Sequence, residues 1–306
     1  MKGVFFMELE TLLQEFVFSM KCRRLSKNTI YNYNRQIQYL LNFFKSEYQI
    51  TLLEQVKPNH IKKFLYLKQE QGRKPQYIND LLKAFKVFFK YAKEEDYISI
   101  LLTEKIKNLK QPKVIIRTFN KQEIKRMLEC YNGHDFISIR NKTILVLLFD
   151  TGIRLNELIT LKDSQIYDNH LIINGKGDKQ RVVPKSPYLS KWIIKYMRVR
   201  NSFFEGRFKG DCVFLSRYGE NICPTMVTKV IRDAGKFAKV NSDIRVSAHT
   251  LRHTFAQQCL QNGMNLYVLS RILGHESIAI TQRYLEGMRD KEILVDALNE
   301  SPLMNL

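Results

Sequence analysis

The sequence lacks the long apolar segments that membrane-spanning and secreted proteins contain. No hydrophobic run approaches the roughly 18 residues that a transmembrane helix needs. Near the start of the chain, Glu8 and Glu10 follow a short apolar patch too soon for a signal peptide to form. These features exclude a transmembrane protein, and we expect the chain to stay in the cytoplasm.

Cysteine is scarce, and common catalytic motifs are missing. The five cysteines are odd in number and form no CxxC pair, which indicates free thiols. The sequence contains no GxxxxGK[ST], GxSxG or HExxH motif, so ATP hydrolysis and acyl transfer have no sequence support. His249 and His253 have a spacing that can bind metal, but no acidic residue accompanies them at that spacing. We therefore expect no cofactor and no metal, with a metal site as a minor alternative.

Acidic residues are too few to balance the basic ones. Fifty Lys and Arg residues against thirty Asp and Glu residues give a net charge of +20. Such a charge favours a polyanionic partner, and nucleic acid is the leading candidate. On charge alone, a protein that binds a membrane surface remains an alternative.

The length of 306 residues favours two domains. The segment KIKNLKQPKVIIR, residues 105–117, has five basic residues, one proline and no acidic residue, which is typical of a tether. We predict a helical domain at 1–104, a basic linker at 105–118 and a second domain at 119–306.

Helical periodicity dominates the first domain. Ser26 is placed as an N-cap, and Pro75 opens a helix with one apolar face and lysines mostly off that face. Basic helices suit a surface that follows DNA phosphates, although lysine is also an ordinary solvent-exposed helix residue. The predicted helices span 8–21, 26–46, 60–71 and 75–95.

The second domain combines helices with short strands. Asn120 and Glu123 have the spacing of a capping box, and the apolar run 144–149 indicates a buried helix. Three β-type runs, SQIYD, HLIIN and QRVVP, predict a three-stranded meander, and the turn GKGDK precedes the last of them. The fold class is therefore mainly α with a small antiparallel β-sheet. Further helices are predicted at 187–200, 224–239, 248–262, 265–273 and 277–287, followed by a short amphipathic tail.

Several residues that bind phosphate or move protons stand at helix starts and turns. Taken singly, each has an ordinary explanation as a surface or packing residue. Together they supply two guanidiniums for phosphate oxygens, a phenol nucleophile, a proton acceptor for it and an acid for the leaving oxygen. This set is what metal-free phosphodiester cleavage requires. The residues are Arg154, Lys176, His249, Arg252, His275 and Tyr284.

The text around these residues resembles the tyrosine recombinases, the phage-integrase family of site-specific DNA recombinases. The matching segments, which span residues 151–287, are TGIRLNELITL, NGKGDKQRVVP, AHTLRHTFAQQCLQNGMN and LSRILGHESIAITQRYL. The resemblance implies an all-helical, SAM-like core-binding domain joined to an α+β catalytic domain. Among members of the family, the chain looks most like the compact Xer-type and transposon-encoded resolving recombinases.

The resemblance also implies a role for each residue. Tyr284 would attack the scissile phosphate and form a 3′-phosphotyrosine, which keeps the free energy of the broken bond. Arg154 and Arg252 would hold the phosphate. The remaining assignments are Lys176 as the general acid for the 5′-oxygen, His249 as the acceptor of the tyrosine proton, His275 as a hydrogen-bonding partner of a phosphate oxygen and Glu157 as an orienting residue.

The implied partner is a double-stranded DNA core site with inverted repeats, bound by a homotetramer that holds two such sites. Accessory factors or a second recombinase can take part, a C-terminal helix would dock on a neighbouring protomer, and no membrane is involved. Two alternatives stay open at this point: a type IB topoisomerase, and an architectural DNA-binding protein without catalysis. The presence of Tyr284, Arg154 and Arg252 argues against the second.

Overall fold

The computed structural model describes residues 6–111, 117–175, 179–207, 210–282 and 284. The chain divides into two compact units, Met1–Lys113 and Val114–Leu306. This division falls within the predicted linker, and the predicted domain limits themselves stay a prediction. Within the described ranges, no helix has the length and apolarity needed to cross a membrane.

The first unit is helical, as predicted. Its helices are α1 (Leu9–Cys22), α2 (Lys27–Tyr48), α3 (Pro58–Glu70) and α4 (Pro75–Glu94). Ser26 caps α2 by accepting a hydrogen bond from the backbone N–H of Thr29, at 3.2 Å, and proline opens both α3 and α4. The apolar face predicted for α4 is buried in the core of this unit, with Phe85 and Phe88 fully enclosed.

The first residues of the predicted linker are fastened to this helical unit. The Asn79 side chain on α4 accepts a hydrogen bond from the backbone N–H of Leu109 at 2.8 Å and donates one to the Leu109 carbonyl at 3.0 Å. Ile106 is buried in the same core. The first residues of the predicted linker are therefore packed as part of the first unit.

The second unit wraps helices around one core and a small hairpin. Asn120 and Glu123 form the predicted capping box at the start of its first helix. The apolar run 144–149 lies in α6, where residues 144–148 are all buried. The elements are α5 (Lys121–Glu129), α6 (Phe136–Thr151), α7 (Leu155–Ile159), β1 (His170–Asn174), β2 (Gln180–Pro184), α8 (Pro187–Phe203), α9 (Pro224–Phe237), α10 (Ala248–Gln261), α11 (Leu266–Leu273) and α12 (Ile278–Gln282).

The prediction of a three-stranded meander is wrong in its first strand. β1 and β2 pair antiparallel with Ile172 opposite Val182, but SQIYD contributes only an isolated bridge between Ile166 and Leu171. Residues 163–165 form a 3₁₀ turn instead, because the Gln165 side chain accepts a hydrogen bond from the backbone N–H of Lys162 at 2.9 Å. The prediction of a mainly α fold with a small antiparallel sheet is confirmed.

Candidate active site

Arg154 lies beyond a sharp turn that ends the buried helix α6. Gly152 adopts a left-handed conformation there, with φ of 58°, and a Cβ atom at this position would overlap the ring of Phe255. The chain then turns into α7, and the backbone N–H of Arg154 donates to Oε2 of Glu157 at 2.7 Å. The Arg154 side chain is 43% exposed, so its guanidinium can meet a ligand from solution.

Glu157 binds two guanidiniums. Its Oε1 accepts from Nη1 of Arg154 at 3.0 Å and from Nη1 of Arg181 at 2.8 Å, while Oε2 accepts from Nη2 of Arg181 at 2.7 Å. Burial alone would raise the pKa of this carboxyl group, but the hydrogen bonds from Arg181 and Arg154 outweigh burial and hold the pKa below its ordinary value. Glu157 is therefore an ionised anchor for both arginines.

Arg252 is buried, and its hydrogen bonds join two turns of the chain. Nη1 donates to the Gly152 carbonyl at 2.9 Å, and Nη2 donates to the Leu273 carbonyl at 2.8 Å. Burial and the charge on Arg154 lower the pKa of Arg252 to about 10, so it stays charged at neutral pH. Arg154 reaches the same turn, because its Nη2 donates to the Gly274 carbonyl at 3.1 Å. The two predicted phosphate ligands therefore lie side by side.

His275 follows that turn and has a defined tautomer. Its Nε2 lies 2.9 Å from Nη2 of Arg252, and since arginine only donates, this nitrogen accepts. The proton of the neutral ring is then on Nδ1, which donates to Oγ1 of Thr281 at 2.8 Å. Burial and the charges on Arg252 and Arg154 lower the pKa of His275 to about 4, which keeps the ring neutral at physiological pH.

Tyr284 lies against His253 on α10, which is paired with His249 on the same helix. Nε2 of His249 and Nε2 of His253 are 2.8 Å apart, and the His253 ring packs edge-on against the Tyr284 ring at 4.8 Å between centroids. The ring of His275 is 6.0 Å from that of Tyr284, nearly parallel to it. Burial, with the charges on Arg252 and Arg245, lowers the pKa of His249. Burial and its two neighbours on α10, His249 and Arg252, lower the pKa of His253 to about 4.

The site carries an excess of positive charge around neutral proton acceptors. Among the described residues, the three guanidiniums of Arg154, Arg181 and Arg252 and the carboxylate of Glu157 form a cluster with a net charge of +2 while the histidines are neutral. A phosphodiester carries one negative charge, and the pentacoordinate transition state of its cleavage carries two. The cluster therefore matches the transition state better than the ground state.

The structure brings together five of the six predicted site residues. Arg154, His249, Arg252, His275 and Tyr284 are joined by the contacts given above. Lys176 lies outside the described residues, although both strands that flank its turn are described.

Two further residues, Arg181 and His253, belong to the site although the sequence motifs do not place Arg181 there and indicate His253 only as a metal candidate. Strand alternation contained a signal for Arg181: it shares a face of β2 with the buried Val183, so its guanidinium points inward. For His253 and His249, the described residues provide no group of three or more metal-binding side chains.

The first unit presents aromatic residues paired with cations at its surface. Arg35 lies over the ring of Tyr31, Lys63 over that of Tyr66 and Arg73 over that of Tyr77. All three tyrosines are exposed. Such pairs combine positive charge with flat apolar area, which suits contact with sugars and phosphates of a nucleic acid backbone.

The protein should lose stability as the pH falls from 6.5 to 4. In the unfolded chain, histidine titrates near 6.5, whereas the pKa of His253 in the folded protein is about 4. The unfolded state therefore takes up the proton first, so the stabilisation is complete above pH 6.5 and is lost as the pH approaches 4.

Urea denaturation at pH 7.5 and pH 5 tests this dependence. His253→Gln should reduce the loss of unfolding free energy between these pH values by about 2 kcal/mol. The difference in unfolding free energy between wild type and variant at pH 7.5 measures the packing that the substitution removes. An equal loss in wild type and variant would contradict the prediction.

Comparison with known proteins identifies the family of this chain. Residues 117–289 match the phage integrase family, and residues 12–99 match its N-terminal SAM-like domain. The chain belongs to the phage integrase family. The resemblance expected from the sequence motifs is thereby confirmed.

The matches to relatives and to solved structures cover most of the chain. Tyrosine recombinase XerD of Halalkalibacterium halodurans is 30% identical over 275 residues, which are 89% of this chain and 91% of the relative. The site-specific recombinase XerH, in a post-cleavage complex with a palindromic difH substrate, is similar in structure with a TM-score of 0.75. This match has 21% identity and covers 94% of this chain and 83% of that one. A lambda integrase tetramer bound to a Holliday junction has a TM-score of 0.73 and 16% identity, over 94% of this chain and 78% of that one.

Proposed function

We propose that this phage integrase family member is a site-specific DNA recombinase that cleaves and rejoins DNA through a 3′-phosphotyrosine intermediate. The family match and the XerD relative support a recombinase, and so an enzyme, over the topoisomerase and the non-catalytic alternatives. The observation that carries the mechanism is the convergence of Arg154 and Arg252 on one turn beside Tyr284.

In the proposed reaction, the phenolic oxygen of Tyr284 attacks the scissile phosphorus. The oxygen–phosphorus bond to tyrosine forms as the bond from phosphorus to the 5′-oxygen breaks. The phenol proton passes to His249, whose lowered pKa leaves it neutral and able to accept. Lys176 protonates the departing 5′-oxygen. A 5′-hydroxyl from the partner strand then reverses these steps, so one ester replaces another without hydrolysis of a nucleotide.

The positively charged ligands stabilise the reacting phosphate. Arg154 and Arg252 are held by backbone carbonyls and Glu157 before DNA binds, so little reorganisation is needed when charge develops. His275 accepts from Arg252 and has its proton on Nδ1. On binding DNA, we expect the ring N–H to donate to a phosphate oxygen in place of Thr281.

The proposed substrate is a double-stranded core site with inverted repeats. A homotetramer would hold two such sites, as the lambda integrase tetramer holds a Holliday junction. The basic surface of the first unit, with Tyr31, Tyr66 and Tyr77, would follow the DNA backbone. The predicted tail helix, which would dock on a neighbour, lies outside the described residues. We place the reaction in the cytoplasm, with accessory factors or a second recombinase as further participants.

Mapping covalent adducts tests this function. The purified protein is mixed with DNA from its own replicon, denatured, and the attached DNA ends are sequenced. We expect adducts at a paired inverted motif. Scattered adducts accompanied by supercoil relaxation would favour a topoisomerase instead, and tight binding without any adduct would favour an architectural protein.

Lys176→Ala should cleave ordinary DNA poorly and recover on a substrate with sulfur at the bridging 5′ position. A thiol has a pKa of about 8.5, far below that of an alcohol, so a sulfur leaving group needs no proton. The measurement is single-turnover adduct formation on both substrates. Lys179→Ala is the matched control, because Lys179 is exposed on the same hairpin. Failure of the Lys176 variant to recover would remove this residue from the general-acid role.

A further inference from the structure

Arg181 on β2 makes three side-chain hydrogen bonds at the site, as many as Arg252 and one more than Arg154. Two of its nitrogens bind the two carboxylate oxygens of Glu157, and Nε donates to the Ile272 carbonyl at 2.7 Å. Only 11% of its side chain is exposed. A buried guanidinium that binds a carboxylate with two nitrogens and a backbone carbonyl with a third suits a residue that positions other groups.

The Arg181 side chain also packs against the turn that precedes His275. Gly274 has φ of 66°, and a Cβ atom built there would lie 2.9 Å from Cδ of Arg181. Arg181 therefore joins three separate segments: strand β2, Glu157 on α7 and residues 272–274 at the end of α11. Arg154 contacts two of the same segments through Glu157 and the Gly274 carbonyl.

The shared carboxylate couples Arg181 to the charge of Arg154. Glu157 is buried, so its negative charge acts strongly on the nearest guanidinium. With Arg181 present, that charge is divided between two arginines. Without Arg181, the carboxylate would pair with Arg154 alone, which would lower the net charge of the cluster from +2 to +1 and draw Arg154 towards Glu157.

We propose that Arg181 is a positioning residue for DNA cleavage: by binding Glu157 and the Ile272 carbonyl, it holds Arg154 and the 272–274 turn where they meet the scissile phosphate. The inference rests on the proposed recombinase function. It assigns no contact between Arg181 and DNA.

The test compares a normal scissile phosphate with a neutral methylphosphonate at the same position. Adduct formation is measured in single turnover at saturating protein, so that DNA affinity does not limit the rate. Arg181→Met should slow cleavage of the phosphate by about a hundredfold, because misplacement of a phosphate ligand by about 1 Å costs that much. The methylphosphonate has one negative charge fewer to stabilise, so the defect relative to wild type should fall at least tenfold on this substrate.

Arg200→Met is the matched control. Arg200 is buried and also forms a two-pronged pair with a carboxylate, that of Asp163, and donates to the Val213 carbonyl at 3.0 Å. None of the site residues contacts this pair in the described structure. Its loss should lower thermal stability, yet any defect in cleavage should be the same on both substrates.

A second variant, Arg181→Lys, separates an effect on cleavage from a folding defect. Lysine retains the charge but cannot bind both Glu157 oxygens and the Ile272 carbonyl at once. It should therefore show the same dependence on substrate as Arg181→Met, with a smaller defect on the phosphate.

The outcomes separate this inference from the proposed function. If wild type forms no adduct that depends on Tyr284, the proposed function fails and the inference fails with it. If wild type reacts normally but the Arg181 variants have equal defects on both substrates, or no defect, only the inference is overturned.

Discussion

Tyr284→Phe should form no covalent adduct with DNA while binding it as wild type does. The change removes only the hydroxyl oxygen that becomes bonded to phosphorus, and a phenyl ring offers no other nucleophile. Folding should be retained, because the ring keeps its contacts with His253 and His275. Gel shift measures binding, and denaturing electrophoresis with a labelled substrate measures the adduct.

Tyr267→Phe is the matched control for this experiment. Tyr267 lies on α11 in the same unit, but its ring is exposed, and no contact joins it to the site within the described residues. This variant should form the adduct at the rate of wild type. Any adduct from purified Tyr284→Phe would show that another residue is the nucleophile.

The elements that depend on neighbouring residues were predicted well from the sequence. The capping box of Asn120 and Glu123, the N-cap of Ser26 and the buried face of α4 all follow from spacing over a few positions. The strand assigned to SQIYD failed, because the side chain of Gln165 binds the backbone of Lys162 and closes a turn. A β-type sequence pattern does not show that a side-chain hydrogen bond to the backbone will replace the hydrogen bonds of strand pairing.

Sequence motifs predict the residues of the candidate site, but they do not predict the contacts of Arg181 that hold those residues in place. The alternation of β2 turns Arg181 inward, but its partners stand 24 and 91 residues away, at Glu157 and Ile272. No local pattern specifies such pairs. Likewise, the spacing of His249 and His253 suggests a metal site, whereas the position of the Tyr284 ring beside His253 comes from tertiary packing against α10.

Arg252→Met should slow adduct formation by about a thousandfold at saturating protein, because it removes a donor that stabilises the transition state. Arg252 is buried between the turns at Gly152 and Leu273. Water cannot easily enter this position in the variant, so it cannot stabilise the negative charge that Arg252 stabilises in wild type. Methionine fills a similar space, which limits the cavity left behind. Single-turnover cleavage of a labelled core site is the measurement.

A second buried arginine separates this effect from a loss of stability. Arg140 donates to the Leu215 carbonyl at 2.9 Å and to the Asn141 side chain, away from the site. Arg140→Met should lower the melting temperature, yet cleave within a few-fold of wild type at a temperature where it is folded. A rate for Arg252→Met within tenfold of wild type would contradict the assignment. In that case Arg154, which is more exposed and reaches the same turn, would be the arginine on which transition-state stabilisation depends.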